Sequence, residues 1–115
     1  MQVGGAIYLS NPGELFCQLG LDIKKGSHFP ATFVVELANG YNGYIPDEKA
    51  FTPGGGGYET VLTRYSNLEI TAGRQIADGC IQLAKEFKPG NIPERPKIES
   101  PIPQWDYGTL GPDLE

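Results

Sequence analysis

Sixteen glycines and ten prolines punctuate a chain of 115 residues. Glycine permits backbone angles closed to other residues and proline removes a backbone donor, so regular structure is confined to a few short elements between turns. Four segments escape this punctuation. Val3 to Leu9 (VGGAIYL) is a short apolar run ended by Ser10, Asn11, Pro12 and Gly13, and it reads as a buried strand. From Glu14 to Lys25, Leu15, Phe16, Leu19 and Ile23 fall on one helical stripe, with Gly26 as the stop, and this predicts a first helix with Glu14 in its first turn. Ala31 to Leu37 (ATFVVEL) is rich in β-branched residues and reads as a second strand. Thr71 to Phe87 places Ile76, Ala77, Cys80, Leu83, Ala84 and Phe87 inward at a period near 3.6, with Arg74, Asp78, Gln82 and Lys85 outward.

The resulting order, β-α-β-α over residues 1–90, belongs to the α/β class, with the first helix suited to cross between parallel strands. Two strands make a marginal sheet in water, so this segment is expected to be part of a larger mixed-sheet domain, completed by weaker segments of the chain or by another polypeptide. The stretch from Asp47 to Tyr58 is expected to be loop, and Gly54 to Gly57 give it the freedom to cover a site. Residues 91–115 carry Pro93, Pro96, Pro101, Pro103 and Pro112 and read as an extended proline-rich tail. That tail is either a solvated linker or a segment anchored on a partner by Trp105 and Tyr107.

Charge narrows the function classes. A net charge of −5, with nine scattered Lys and Arg, argues against a nucleic-acid backbone as partner. No apolar run is long enough for a transmembrane segment and the start lacks signal-peptide character, so the chain is expected to be soluble. Cys17 and Cys80 sit far apart within expected helices, which suggests buried or half-buried thiols rather than a disulfide framework or metal knuckle. Gly54 to Gly57 lack the Lys and Ser/Thr of a phosphate-binding loop. His28 is a lone loop histidine, and Ser10, Ser27 and Ser66 stand in no nucleophile motif.

Three residues remain as candidates: Glu14 in Pro12-Gly13-Glu14, Tyr44 in Gly43-Tyr44-Ile45-Pro46, and Tyr58 in Gly57-Tyr58-Glu59. Each has an ordinary explanation. A glutamate in a first helical turn complements the macrodipole, and a tyrosine after a strand packs a core or its rim.

Taken in order, however, Pro12-Gly13-Glu14-Leu15-Phe16, Phe33-Val34-Val35-Glu36-Leu37-Ala38-Asn39-Gly40, Gly43-Tyr44-Ile45-Pro46 and Gly57-Tyr58-Glu59 resemble consecutive motifs of the neutral/alkaline nonlysosomal ceramidase family. The resemblance covers about residues 1–88 and corresponds to the C-terminal part of that family's catalytic domain. It implies a zinc-dependent amidohydrolase in which two histidines, a glutamate and a tyrosine hold the metal and metal-activated water attacks an N-acyl amide. By this resemblance Glu14 and Tyr44 are metal ligands, and Tyr58 is a catalytic residue that hydrogen-bonds the substrate carbonyl as charge develops. The family's two metal histidines come from earlier segments and have no counterpart before Glu14. A second polypeptide, or a missing segment, is therefore expected to supply histidines and further strands, and the chain is not expected to be active alone. Self-association is another way to complete the sheet. The alternative is a non-catalytic interaction or scaffold subunit that keeps the fold without metal.

Overall fold

The computed structural model describes residues 1–97. Trp105 and Tyr107, with most of the expected proline-rich tail, lie outside the described residues; residues 91–97 carry no regular secondary structure and are exposed.

The first apolar run folds as a hairpin rather than one strand. Gln2–Val3 (β1) and Ala6–Ser10 (β2) pair antiparallel around Gly4-Gly5, and Gly4 takes a φ of +55°. Two glycines between short apolar strands are a hairpin signal that the continuous apolar character of VGGAIYL hides. Ala31–Val35 (β4) then pairs parallel with β2, from Ala6 opposite Ala31 to Ser10 opposite Val35, in a three-stranded sheet of order β1-β2-β4.

Between β2 and β4 lie two elements. Glu14–Leu15 is a strand (β3), and the helix (α1) runs over Cys17–Gly26. The expected helix start at Glu14 is thus corrected, because the backbone there is claimed by another partner. The N–H groups of Glu14 and Phe16 donate to the carbonyls of Gly43 (2.8 Å) and Ile45 (3.0 Å). This builds a second sheet, in which β3 pairs parallel with Tyr44–Ile45 (β5). The second strand also ends early, at Val35, because Leu37 takes a φ of +52°, a left-handed conformation that no strand continues.

The second helix, Ala72–Lys85 (α2), packs on α1 through a stripe of small residues, Gly73, Ala77, Cys80 and Ala84. The approach is close. A Cβ on Gly73 would stand 2.5 Å from the Leu19 side chain, and one on Gly26 would stand 2.6 Å from Ile81. Ile81 rather than Leu83 therefore meets α1, and Leu83, expected inward, is 48% exposed. Arg74 spans the two helices through an ion pair with Asp22 at 2.8 Å. Cys80 is buried as expected, whereas Cys17 at the start of α1 is exposed.

Ile7 and Leu9 from β2, Leu15 from β3, Ile45 from β5, Leu19 and Ile23 from α1 and the α2 stripe form one core. Burial of such apolar surface is the main driving force for the fold. The result is a mixed α/β arrangement of two small sheets and two helices. The other face of the main sheet carries Tyr8 and Phe33, stacked with ring centroids 4.9 Å apart, and Phe33 remains 47% exposed. No helix among the described residues is long and apolar enough to cross a membrane.

Candidate functional site

The second sheet is built by a set of backbone clasps. Asn11, 3% exposed, turns its side-chain oxygen onto the N–H of Gly13 at 3.1 Å, and its own N–H donates to the Val35 carbonyl at 3.0 Å. Leu37 and Asn42 donate to the carbonyls of Gly13 and Pro12. Pro12-Gly13-Glu14 is thereby held flat against the returning chain. Gly13 has no room for a Cβ, which would meet the carbonyl of Gly43 and the side chain of Ile45. Gly43 has a φ of +71° and lies on the Tyr65 carbonyl, so a side chain there is excluded by conformation and by space.

These constraints put Glu14 and Tyr44 at paired positions on neighbouring parallel strands. Paired residues of a sheet project to the same face, so the carboxylate and the phenol are neighbours. Tyr65 closes one flank, accepting the Tyr44 N–H on its carbonyl at 2.8 Å and setting its ring edge-on to that of Tyr44 at 6.0 Å.

Tyr58 closes the other. The expected loop from Asp47 contains two 3-10 turns, Glu48–Phe51 and Tyr58–Thr60, the first capped by the Asp47 carboxylate on the Ala50 N–H at 3.0 Å. Gly55 and Gly56 lie against the carbonyls of Lys49 and Ala50, too close for any Cβ, and this folds the glycine run back so that it delivers Tyr58. The Tyr58 and Tyr44 hydroxyls hydrogen-bond at 3.3 Å, with their rings edge to face at 5.2 Å. That bond is longer than the usual range of about 2.5–3.0 Å for paired hydroxyls, so it is weak and exchangeable. Tyr58 is 58% exposed.

The hydrogen bond with Tyr58, partial burial and the negative charge of Glu14 together push the Tyr44 phenol up to about 12. Its neutral form is thus favoured in the free chain, and a cation beside it would oppose that preference. The donor set suits one: a carboxylate and a phenolic oxygen are ligands that zinc and harder divalent ions accept. Among the described residues no group of three His, Cys, Asp or Glu is placed to hold a metal ion. His28 is engaged elsewhere, its Nε2–H donating to the Phe87 carbonyl at 3.1 Å.

Asn11, Tyr65 and Ser66 belong to this region and were not legible as such in the sequence. Asn11 reads there as an ordinary turn residue and Ser66 as an unpaired serine, because their partners are distant in the chain. No protein family, curated protein or solved structure matches this chain.

Proposed function

We propose that the chain is one part of a zinc-dependent amidohydrolase resembling neutral ceramidase, completed by histidines from a second polypeptide or a missing segment. The observation that carries this reading is the pairing of Glu14 with Tyr44, flanked by the Tyr58 hydroxyl. Glu14 and Tyr44 would supply two oxygen donors to the metal. When bound, zinc polarises a carbonyl and lowers the pKa of water toward neutrality.

The chain's own residues have distinct tasks in the hydrolysis of an N-acyl amide. Water adds to the amide carbon, the C–N bond breaks, and the leaving amine takes up a proton. Charge collects on the carbonyl oxygen on the way, and the Tyr58 hydroxyl, released from its weak bond to Tyr44, is the donor for that oxygen. Glu14 and Tyr44 orient the reacting centre and are not consumed.

Hydrolysis of an N-acyl amide by the chain alone and mixed with a histidine-bearing partner tests the reading. The mixture is expected to hold zinc and turn over substrate, and the chain alone to do neither. Tyr58→Phe should keep the zinc and slow turnover by about 10²–10³. A metal-free, inactive mixture contradicts the proposal.

The second reading, a scaffold subunit that keeps the fold without metal, is favoured by the face of the main sheet where Phe33, stacked on Tyr8, is 47% exposed. It predicts an assembly whose stability is indifferent to chelators.

A further inference from the structure

Beside Tyr44 the chain folds around a pocket of about 260 Å³. Most of its wall is apolar, from Phe51, Leu62, Leu68 and Ile70, yet Glu59, Thr60 and Ser66 interrupt it, the Thr60 hydroxyl being spent on the Gly57 carbonyl. Ser66 is 9% exposed, and its hydroxyl oxygen is buried without a hydrogen-bond partner among the described residues. A buried hydroxyl left unpaired costs free energy comparable to a lost hydrogen bond, and rotation of the Ser66 side chain toward the pocket would let a ligand group satisfy it. Glu59 adds a carboxylate, and among the described residues the single ion pair is that of Arg74 with Asp22.

An apolar wall selects an alkyl or aryl body, and a carboxylate with a hydroxyl selects a hydrogen-bond donor, above all a cationic one. A fatty-acid carboxylate would meet the Glu59 charge and be repelled. We propose that this pocket binds the amine half of the amide, a compact apolar amine whose nitrogen side faces Glu59 and Ser66. Because Tyr44 lines the same pocket, the body of such an amine lies next to the Glu14–Tyr44 pair. The assignment of the pocket to the leaving group rests on the amidohydrolase reading, whereas its preference for amines follows from its walls alone.

The test uses the full chain without zinc, titrated with hexylammonium, hexanoate and 1-hexanol and followed by calorimetry. Hexylammonium is expected to bind at least about tenfold more tightly than hexanoate, the size of one charge-assisted hydrogen bond. Glu59→Gln should remove that preference, Ser66→Ala should weaken hexylammonium, and Leu68→Trp, which fills the pocket, should abolish binding of all three. Equal or tighter binding of hexanoate, no saturable binding of hexylammonium, or a preference untouched by Glu59→Gln overturns the proposal. Amine binding in a chain whose assemblies hydrolyse no amide would leave the pocket standing and remove the enzyme reading. Hydrolysis without amine binding would do the reverse.

Discussion

Glu14 and Tyr44, thirty positions apart in sequence, face each other across a parallel pair only two residues long. Such a pair has little stability of its own. It is held by what surrounds it: the Asn11 clasp on Gly13, the seat of Gly43 on Tyr65, and the burial of Leu15 and Ile45 in the core.

Asn11→Ala removes a buried side chain that satisfies the Gly13 N–H. Loss of about 1–3 kcal/mol in chemical denaturation is expected, the cost of leaving a buried donor unpaired. An unchanged midpoint would mean that the clasp contributes nothing to the second sheet.

The glycines divide into two kinds. Gly43→Ala forces a Cβ into the Tyr65 backbone at a positive φ and should destabilise by at least about 2 kcal/mol. Gly20 and Gly79 lie inside α1 and α2 with open space around them, so Gly20→Ala and Gly79→Ala should each stabilise by about 0.5–1 kcal/mol. Thermal melts of the three variants check the contrast.

The Tyr44 phenol, pushed up from 10.0 to about 12, gives a signed pH dependence. A folded value above the unfolded one favours the protonated form in the fold. Its stabilisation is complete below pH 10 and is lost as pH rises from 10 toward 12. Stability measured across that window should fall more steeply in the parent chain than in Tyr44→Phe, and parallel curves would contradict the Tyr44 environment.

At the acid end Asp22 behaves oppositely. Its hydrogen bonds to Arg74 and then Gln18 hold the carboxyl below its ordinary 3.8, so its contribution is present above that value and fades as pH falls through the folded value. Both side chains are partly exposed, so the effect is small, and Arg74→Gln should reduce the acid dependence to the part held by Gln18 while barely changing stability at neutral pH. A urea midpoint followed below pH 4 reads this.

The sequence made the larger elements legible because they repeat. Leu19 and Ile23 mark α1 by spacing, the β-branched run of β4 marks a strand, and the crossover between parallel β2 and β4 follows from their order. Where a signal needs several residues it failed. A two-residue strand has no period, so Glu14 looked like the first turn of a helix, and only the distant Gly43 and Ile45 carbonyls reveal the pairing. The inward face of α2 departs from its periodicity at Leu83 because Gly26 admits Ile81 instead, a choice made by the partner helix. For the site, motif order drew attention to Glu14, Tyr44 and Tyr58. The clasp at Asn11 and the unpaired hydroxyl of Ser66 depend on tertiary neighbours that no local pattern encodes.

The central claim is that Glu14 and Tyr44 share one divalent ion. On the proposed reading, zinc bound at Tyr44 would favour the charged form of a phenol that the free chain pushes up to about 12, so ligation is expected to release a proton and create a phenolate. Zinc titration of the chain assembled with the proposed histidine-bearing partner, followed by tyrosinate absorbance, measures this directly. One phenolate per zinc is expected, absent in Tyr44→Phe and formed only at higher zinc concentration in Glu14→Gln. Tight zinc binding with no phenolate signal, or with equal affinity in all three proteins, would contradict the account.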